Sequence, residues 1–140
     1  MRKYLIAAHG TFSSGVKSSL DMIAGAMDNI FIVQAYVNGN TAIDEEIKQV
    51  LEQIGNDDEL IIFSDILGGS VTNQLLQLAS GPNIHIVSGF NLPLLIEVIL
   101  GDNETPANEV IDAAIINAKE QMVYVNKLIN KHRNDQTNQD

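Results

Sequence analysis

Four short apolar runs alternate with segments of helical period, and this alternation constrains the fold more than any other feature. The runs cover residues 3 to 8, 30 to 37, 59 to 64 and 83 to 88, and they are rich in β-branched or aromatic side chains. The segments between them repeat apolar residues at the spacing of one helix face. The sequence therefore predicts an α/β fold: an open, mostly parallel sheet of about four strands with helices on both faces.

Local signals predict where several helices begin and end. Ser14 and Thr41 are candidate caps for the first and second helices, and Asn91 is one for a short helix with Pro93 in its first turn. Apolar spacing from about residue 107 predicts one last helix, with residues 102 to 106 as the loop before it. An apolar surface on the fourth strand and residues 92 to 100 is expected to suit a dimer.

Size and composition set the broad class. A chain of 140 residues suits one domain, here residues 1 to 130, followed by a polar tail over 131 to 140 that is expected to be disordered. The formal charge of -10 opposes binding to nucleic acid. Without cysteine there is neither a disulfide nor a thiolate nucleophile. No apolar run reaches the roughly 18 residues of a membrane span, so we expect a cytoplasmic protein with no direct membrane insertion.

His9 and Asp65 each follow a predicted strand, the first and the third. In open parallel sheets ligands bind beyond the carboxyl ends of the strands, and these two strands commonly flank the binding crevice. If the strands are neighbours, the Asp65 carboxylate can accept a hydrogen bond from Nδ1-H of His9. That bond would leave the Nε2 lone pair facing the crevice. We expect both residues to be catalytic, with His9 as a nucleophile oriented by Asp65.

The third-strand loop continues into Gly68, Gly69 and Ser70 at the start of a predicted helix. Glycines let backbone N-H groups turn inward, and a helix N-terminus favours a phosphoryl oxygen. We expect these three residues to bind phosphate, with no metal and no cofactor. Together with His9 they indicate phosphoryl transfer through a phosphohistidine. His85, inside a strand, and His132, in the polar tail, are better explained as structural or incidental residues.

Three segments resemble a known family in order and spacing. They are residues 8 to 15 (AHGTFSSG), 64 to 70 (SDILGGS) and 88 to 95 (SGFNLPLL). The chain is similar over about residues 1 to 127 to the IIA component of the mannose-type (mannose, fructose, sorbose) phosphoenolpyruvate-dependent sugar phosphotransferase system. Where that family usually has Leu-Phe-Gly-Gly-Ser-Pro, this chain has Ile66 to Val71 and lacks both the aromatic residue and the proline. Gly68, Gly69 and the Ser70 hydroxyl remain.

The resemblance implies a phosphoryl relay in sugar uptake. The histidine matching His9 would accept the group from the phosphocarrier protein HPr and pass it to a IIB component, expected to be a separate protein. Asp65 matches the acid that orients this histidine. Family members are cytoplasmic homodimers, some with an exchanged C-terminal strand; residues 107 to 130 read as one helix and offer no such strand.

Two other functions fit the same residues. A phosphoryl-donor subunit of a phosphoenolpyruvate-dependent dihydroxyacetone kinase shares this fold and histidine position, but that family tends to have Ser-His-Ser where this chain has Ala8-His9-Gly10. A regulatory module could instead use the phosphohistidine only as a signal to a binding partner. A response-regulator receiver fits less well, because it needs an acidic pair after the first strand. A flavin-binding module also fits less well, because the first loop is a weak cradle for a flavin phosphate.

Overall fold

The computed structural model describes residues 1–37 and 43–137 of the chain. Within these residues strands and helices alternate as far as the last strand, and helices follow it. In chain order the elements are β1 (Arg2–His9), α1 (Phe12–Ala24), β2 (Ile30–Ala35), α2 (Ile43–Leu51), β3 (Glu59–Ser64), α3 (Ser70–Leu78), β4 (Ile84–Ser88), α4 (Leu92–Ile99), α5 (Ala107–Glu120) and α6 (Val125–Thr137).

The strands of the described residues form one parallel sheet in the order β2-β1-β3-β4. β1 lies between β2 and β3, with His9 opposite Ala35 and Ala7 opposite Ser64. The predicted open parallel sheet is confirmed, and so is the expected pairing of the first and third strands. Because the strands are parallel, the carboxyl ends of β1 and β3 meet at one edge of the sheet.

Helices cover both faces of this sheet, as the sequence predicts. Successive strand residues point to opposite faces, so Ile6 and Phe63 lie in the core under α1, α4 and α5. Leu5 and Ile62 lie in the second core, under α2 and α3. All four side chains are fully buried. None of the helices in residues 1–37 and 43–137 is long and apolar enough to cross a membrane.

Several element ends differ from the sequence prediction. β2 ends at Ala35 rather than at residue 37, because Tyr36 turns the chain with a left-handed φ of 66°. α1 already begins at Phe12, and the Ser14 hydroxyl donates to the Thr11 carbonyl instead of capping the helix, so that predicted cap is wrong. Thr41, the other predicted cap, lies outside the described residues.

The C-terminal region contains two helices where the sequence predicted one. α5 ends at Glu120 and α6 begins at Val125, with Gln121 to Tyr124 between them. The segment expected to be a disordered tail is helical as far as Thr137. The predicted cap at Asn91 is confirmed, since its Oδ1 accepts a hydrogen bond from the Leu94 amide at 3.0 Å.

Candidate functional site

His9 is the last residue of β1 and carries its imidazole at the carboxyl edge of the sheet. Its backbone amide donates to Asp65 Oδ2 at 2.9 Å, while the amide of Gly10 donates to the Ala35 carbonyl at 2.8 Å. These bonds hold the end of β1 between its two neighbouring strands. The His9 side chain keeps 40% of its surface exposed. The ring is therefore fixed at its base and accessible at its outer edge.

Asp65 follows β3 and orients the His9 ring. Its Oδ2 lies 2.8 Å from His9 Nδ1, and its Oδ1 accepts the Ile66 amide at 3.0 Å. Burial works to raise the pKa of Asp65, but the hydrogen bonds from the amide and the imidazole of His9 outweigh it and hold the pKa below its usual value. An ionised carboxylate on Nδ1 favours the tautomer with hydrogen on Nδ1 and a lone pair on Nε2.

The glycines between Asp65 and α3 bring the start of that helix against His9. Gly68 has a φ of 76°, which favours glycine. A Cβ built on Gly69 would lie 3.8 Å from His9 Cε1, the ring carbon between Nδ1 and Nε2. The Gly69 amide donates to the Ile66 carbonyl at 3.3 Å. The Gly69 amide is therefore engaged within the loop, and α3 begins at the next residue, Ser70, where the first-turn N-H groups have no partner within the helix.

Thr72, which the sequence analysis missed, ties this loop to β3. Its Oγ1 lies 2.7 Å from Ser64 Oγ and 2.7 Å from the Ile66 carbonyl, and it can donate to either oxygen. Thr72 and Ser64 are both buried. Because Ile66 follows Asp65 directly, the Thr72 hydroxyl also restrains the carboxylate that orients His9.

Tyr36, which the sequence analysis also missed, reaches the site from the end of β2. Its ring centroid lies 5.6 Å from that of His9, with 35° between the ring planes. Its hydroxyl donates to Ser70 Oγ at 2.7 Å. Tyr36 therefore links the histidine to the first residue of α3. The apolar run of residues 30 to 37 was the available signal, but it reads as continuous strand.

Exposed apolar side chains lie beside the site, at the start of α1 and in the loop after β3. Phe12, three residues after His9, is half exposed and stacks on Phe90 with ring centroids 5.2 Å apart. Ile66 and Leu67 follow Asp65 and are 57% and 80% exposed. Apolar groups beside a reactive side chain suit contact with another protein surface.

Known proteins of one family are similar to this chain in sequence. The sequence matches the family described as PTS system fructose IIA component, EIIA-man, over residues 3–115. It is 31% identical over 101 residues to the fructose-specific EIIA component of the phosphotransferase system of Bacillus subtilis strain 168, covering 71% of this chain and 69% of that protein. It is 31% identical over 108 residues to the sorbose-specific EIIA component of Klebsiella pneumoniae, covering 76% and 78%.

A solved structure is similar over most of the fold. It is a Klebsiella pneumoniae protein assigned as a permease of the phosphoenolpyruvate-dependent sugar phosphotransferase system. The two structures agree with a TM-score of 0.85 at 34% sequence identity, covering 91% of this chain and 93% of that one.

Proposed function

This chain belongs to the EIIA-man family of sugar phosphotransferase system components, and from that membership we propose that it relays a phosphoryl group through His9. The observation that carries the proposal is the 2.8 Å contact between His9 Nδ1 and Asp65. With Nδ1 engaged, Nε2 is the ring nitrogen left to react. The edge of the ring that carries this nitrogen is available because the His9 side chain is 40% exposed.

The donor is the phosphocarrier protein HPr in its phosphohistidine form. The Nε2 lone pair of His9 attacks phosphorus, a P-Nε2 bond forms, and the P-N bond to the donor breaks with its electron pair returning to the donor imidazole. His9 keeps its Nδ1 proton throughout. The ring then carries positive charge, which the Asp65 carboxylate stabilises.

The start of α3 stabilises the transferred group. Phosphoryl oxygens on Nε2 would meet the first-turn amides of the helix and the Ser70 hydroxyl, and Gly68 and Gly69 let the backbone approach. The bonds broken and formed are both P-N bonds between protein side chains. Positioning and charge stabilisation can therefore supply the catalysis without a metal or a nucleotide.

The acceptor is a IIB component, a separate protein of the same sugar uptake system. It would take the group by the reverse chemistry, with the P-Nε2 bond breaking and its electron pair returning to His9. The exposed Phe12, Ile66 and Leu67 provide apolar contacts for both partners in turn. A relay between such partners operates in the cytoplasm.

The test is transfer of one phosphoryl group in a mixture of phosphoenolpyruvate, Enzyme I and HPr. We expect the intact mass to rise by one phosphoryl group in the wild type and in His85→Ala, and not in His9→Ala. His85 serves as the matched control because it lies inside β4, with Nε2 4.0 Å from Glu59. Labelling of His9→Ala at the wild-type rate would refute the proposal.

The acceptor is identified by adding candidates to the labelled protein. Loss of label to a IIB protein supports the relay. Loss only to the nucleotide-binding subunit of a dihydroxyacetone kinase, or retention of the label with every IIB tested, would replace it with the kinase-donor or the regulatory function.

A further inference from the structure

Tyr36 adopts a backbone conformation that a bulky residue rarely takes. Its φ of 66° lies in the left-handed region, directly after β2 and one residue beyond the Ala35 that pairs with His9. Unfavourable backbone conformations of this kind persist where the surrounding structure holds them, and they are concentrated at functional sites. Here the turn brings the Tyr36 side chain to His9 and Ser70.

Both ends of the Tyr36 side chain meet groups of the proposed phosphoryl site. The ring packs beside the His9 imidazole at 5.6 Å between centroids, and the hydroxyl donates to Ser70 Oγ at 2.7 Å. Tyr36 is 44% exposed, so burial of its ring does not account for the placement. The contacts join three elements, β2, β1 and α3, through one side chain.

The hydrogen bond from Tyr36 determines what the Ser70 hydroxyl can do. A serine hydroxyl has one hydrogen and two acceptor lone pairs. The phenol hydrogen takes one lone pair, and the Ser70 hydrogen is then able to turn toward an oxygen of a group on His9. A hydroxyl that accepts one hydrogen bond donates a stronger one, because hydrogen bonds in a chain polarise one another.

We propose that Tyr36 is a positioning residue for phosphoryl transfer, acting through Ser70: it fixes the Ser70 hydroxyl as a donor to the phosphoryl group and packs beside the ring of His9. The inference rests on the proposed function, because it needs His9 to carry the group. The inference goes beyond the proposed function because it assigns a role to a residue other than His9, Asp65 and the two glycines.

The test compares the wild type, Tyr36→Phe, Ser70→Ala and the double variant, with Tyr124→Phe as control. Tyr124 is an exposed tyrosine between α5 and α6, outside the loops that carry His9, Asp65 and Ser70. The donor is phosphoramidate, which needs no protein partner. Nε2 attacks phosphorus, the P-Nε2 bond forms, and the P-N bond of phosphoramidate breaks with its electron pair leaving on the protonated amine as ammonia. Phosphorus NMR at one fixed pH follows the rate and the chemical shift of phosphorylated His9.

We expect Ser70→Ala to slow phosphorylation about 10-fold or more, as for loss of a hydrogen bond to a charged group. Tyr36→Phe should slow phosphorylation about 3-fold and move the phosphorus resonance. The substitution leaves the hydrogen bond from Ser70 to the phosphoryl group in place and removes only its reinforcement. The double variant should match Ser70→Ala in both rate and chemical shift. Tyr124→Phe should match the wild type.

Coupling between the two substitutions separates positioning from a general effect on folding. A purely structural role for Tyr36 would slow the Ser70→Ala protein by the same factor as the wild type and leave the resonance in place. That result would overturn the inference, as would absence of phosphoramidate labelling at His9. If the wild type accepts phosphoryl from phosphoramidate but not from phosphorylated HPr, the proposed relay fails, and the rate pattern still decides the role of Tyr36.

Discussion

Oδ2 of Asp65 accepts a hydrogen bond from the His9 amide and also contacts Nδ1 of the His9 ring. A single side chain therefore fixes both the position and the tautomer of the imidazole. Asp65→Asn keeps the size but removes the negative charge that balances a phosphorylated ring. We expect the rate of phosphoryl acceptance from HPr to fall about 10- to 100-fold, as for loss of other groups that orient a functional histidine. Single-turnover labelling measures this rate.

The matched control is Asp102→Asn. Asp102 also accepts two local hydrogen bonds, from the Glu104 amide and the Thr105 hydroxyl, and its pKa is likewise lowered, but it lies in the loop before α5. Its substitution should leave the labelling rate unchanged. Equal rates for Asp65→Asn and the wild type would contradict the orienting role.

The lowered pKa of Asp65 also predicts a pH dependence of stability. A carboxyl whose pKa is lower in the folded state stabilises the protein above its unfolded pKa of about 3.9, and this stabilisation is lost as the pH falls through the folded value. The difference in free energy of unfolding between the wild type and Asp65→Asn should therefore be constant near neutral pH and shrink in acid. Urea titrations at several pH values measure it; a difference that grows toward acid would contradict the assignment.

Among the contacts between single residues, the sequence predicts those that follow from the order of the strands. His9 and Asp65 meet because they end neighbouring parallel strands, and that follows from the strand pattern. The contact between Tyr36 and Ser70 depends on a left-handed turn at a residue whose sequence context reads as strand. The contact of Thr72 with the Ile66 carbonyl depends on how the 65 to 69 loop folds back. Both depend on local geometry that residue types do not specify.

At the scale of elements, Asn91 fixes where α4 begins. Its Oδ1 accepts the Leu94 amide, and its Nδ2 donates to the Ala118 carbonyl of α5 at 3.2 Å. We expect Asn91→Ala to lower the free energy of unfolding by about 0.5–2 kcal/mol, the range for loss of a helix cap. Urea unfolding should show a lower midpoint with an unchanged slope.

Asn108→Ala is the control for this substitution. Asn108 is exposed on α5, and the same change there should alter stability by no more than about 0.5 kcal/mol. Equal effects at both positions would show that the cap contributes nothing measurable.

The four strands, the start of α3 and the Asn91 cap follow from periodicity and local hydrogen-bonding residues, which the sequence displays directly, although β2 ends two residues earlier than its apolar run. The break between α5 and α6 was missed, because the apolar spacing continues through it and neither glycine nor proline marks it. The available signal was Val123-Tyr124-Val125, a β-branched and aromatic run of low helix propensity. Periodicity reports which face is apolar, and propensity in this run was the better guide to where the helix ends.

At the scale of the whole molecule, α6 is the part of the described chain least supported by its own core. Every residue from 119 to 136 is exposed, including Val125, Leu128 and Ile129 at 53%, 56% and 44%. An isolated helix of 13 residues is marginal in water. Within residues 92 to 100, which are expected to suit a dimer, Leu94, Leu95, Val98 and Ile99 are buried in the chain's own core, whereas Leu100 is 48% exposed.

If this chain forms the homodimer that the family resemblance implies, we expect it to bury the apolar side of α6 against a second copy. Static light scattering of the wild type should give twice the 15.3 kDa mass of one chain. Leu128→Glu should shift the mass toward one chain, because a carboxylate placed in an apolar interface must be desolvated without a partner. Met22→Glu adds the same charge at a residue of α1 that is 86% exposed and should remain a dimer. A wild type of single-chain mass would contradict the homodimer, and a Leu128→Glu protein that stays dimeric would place the interface away from α6.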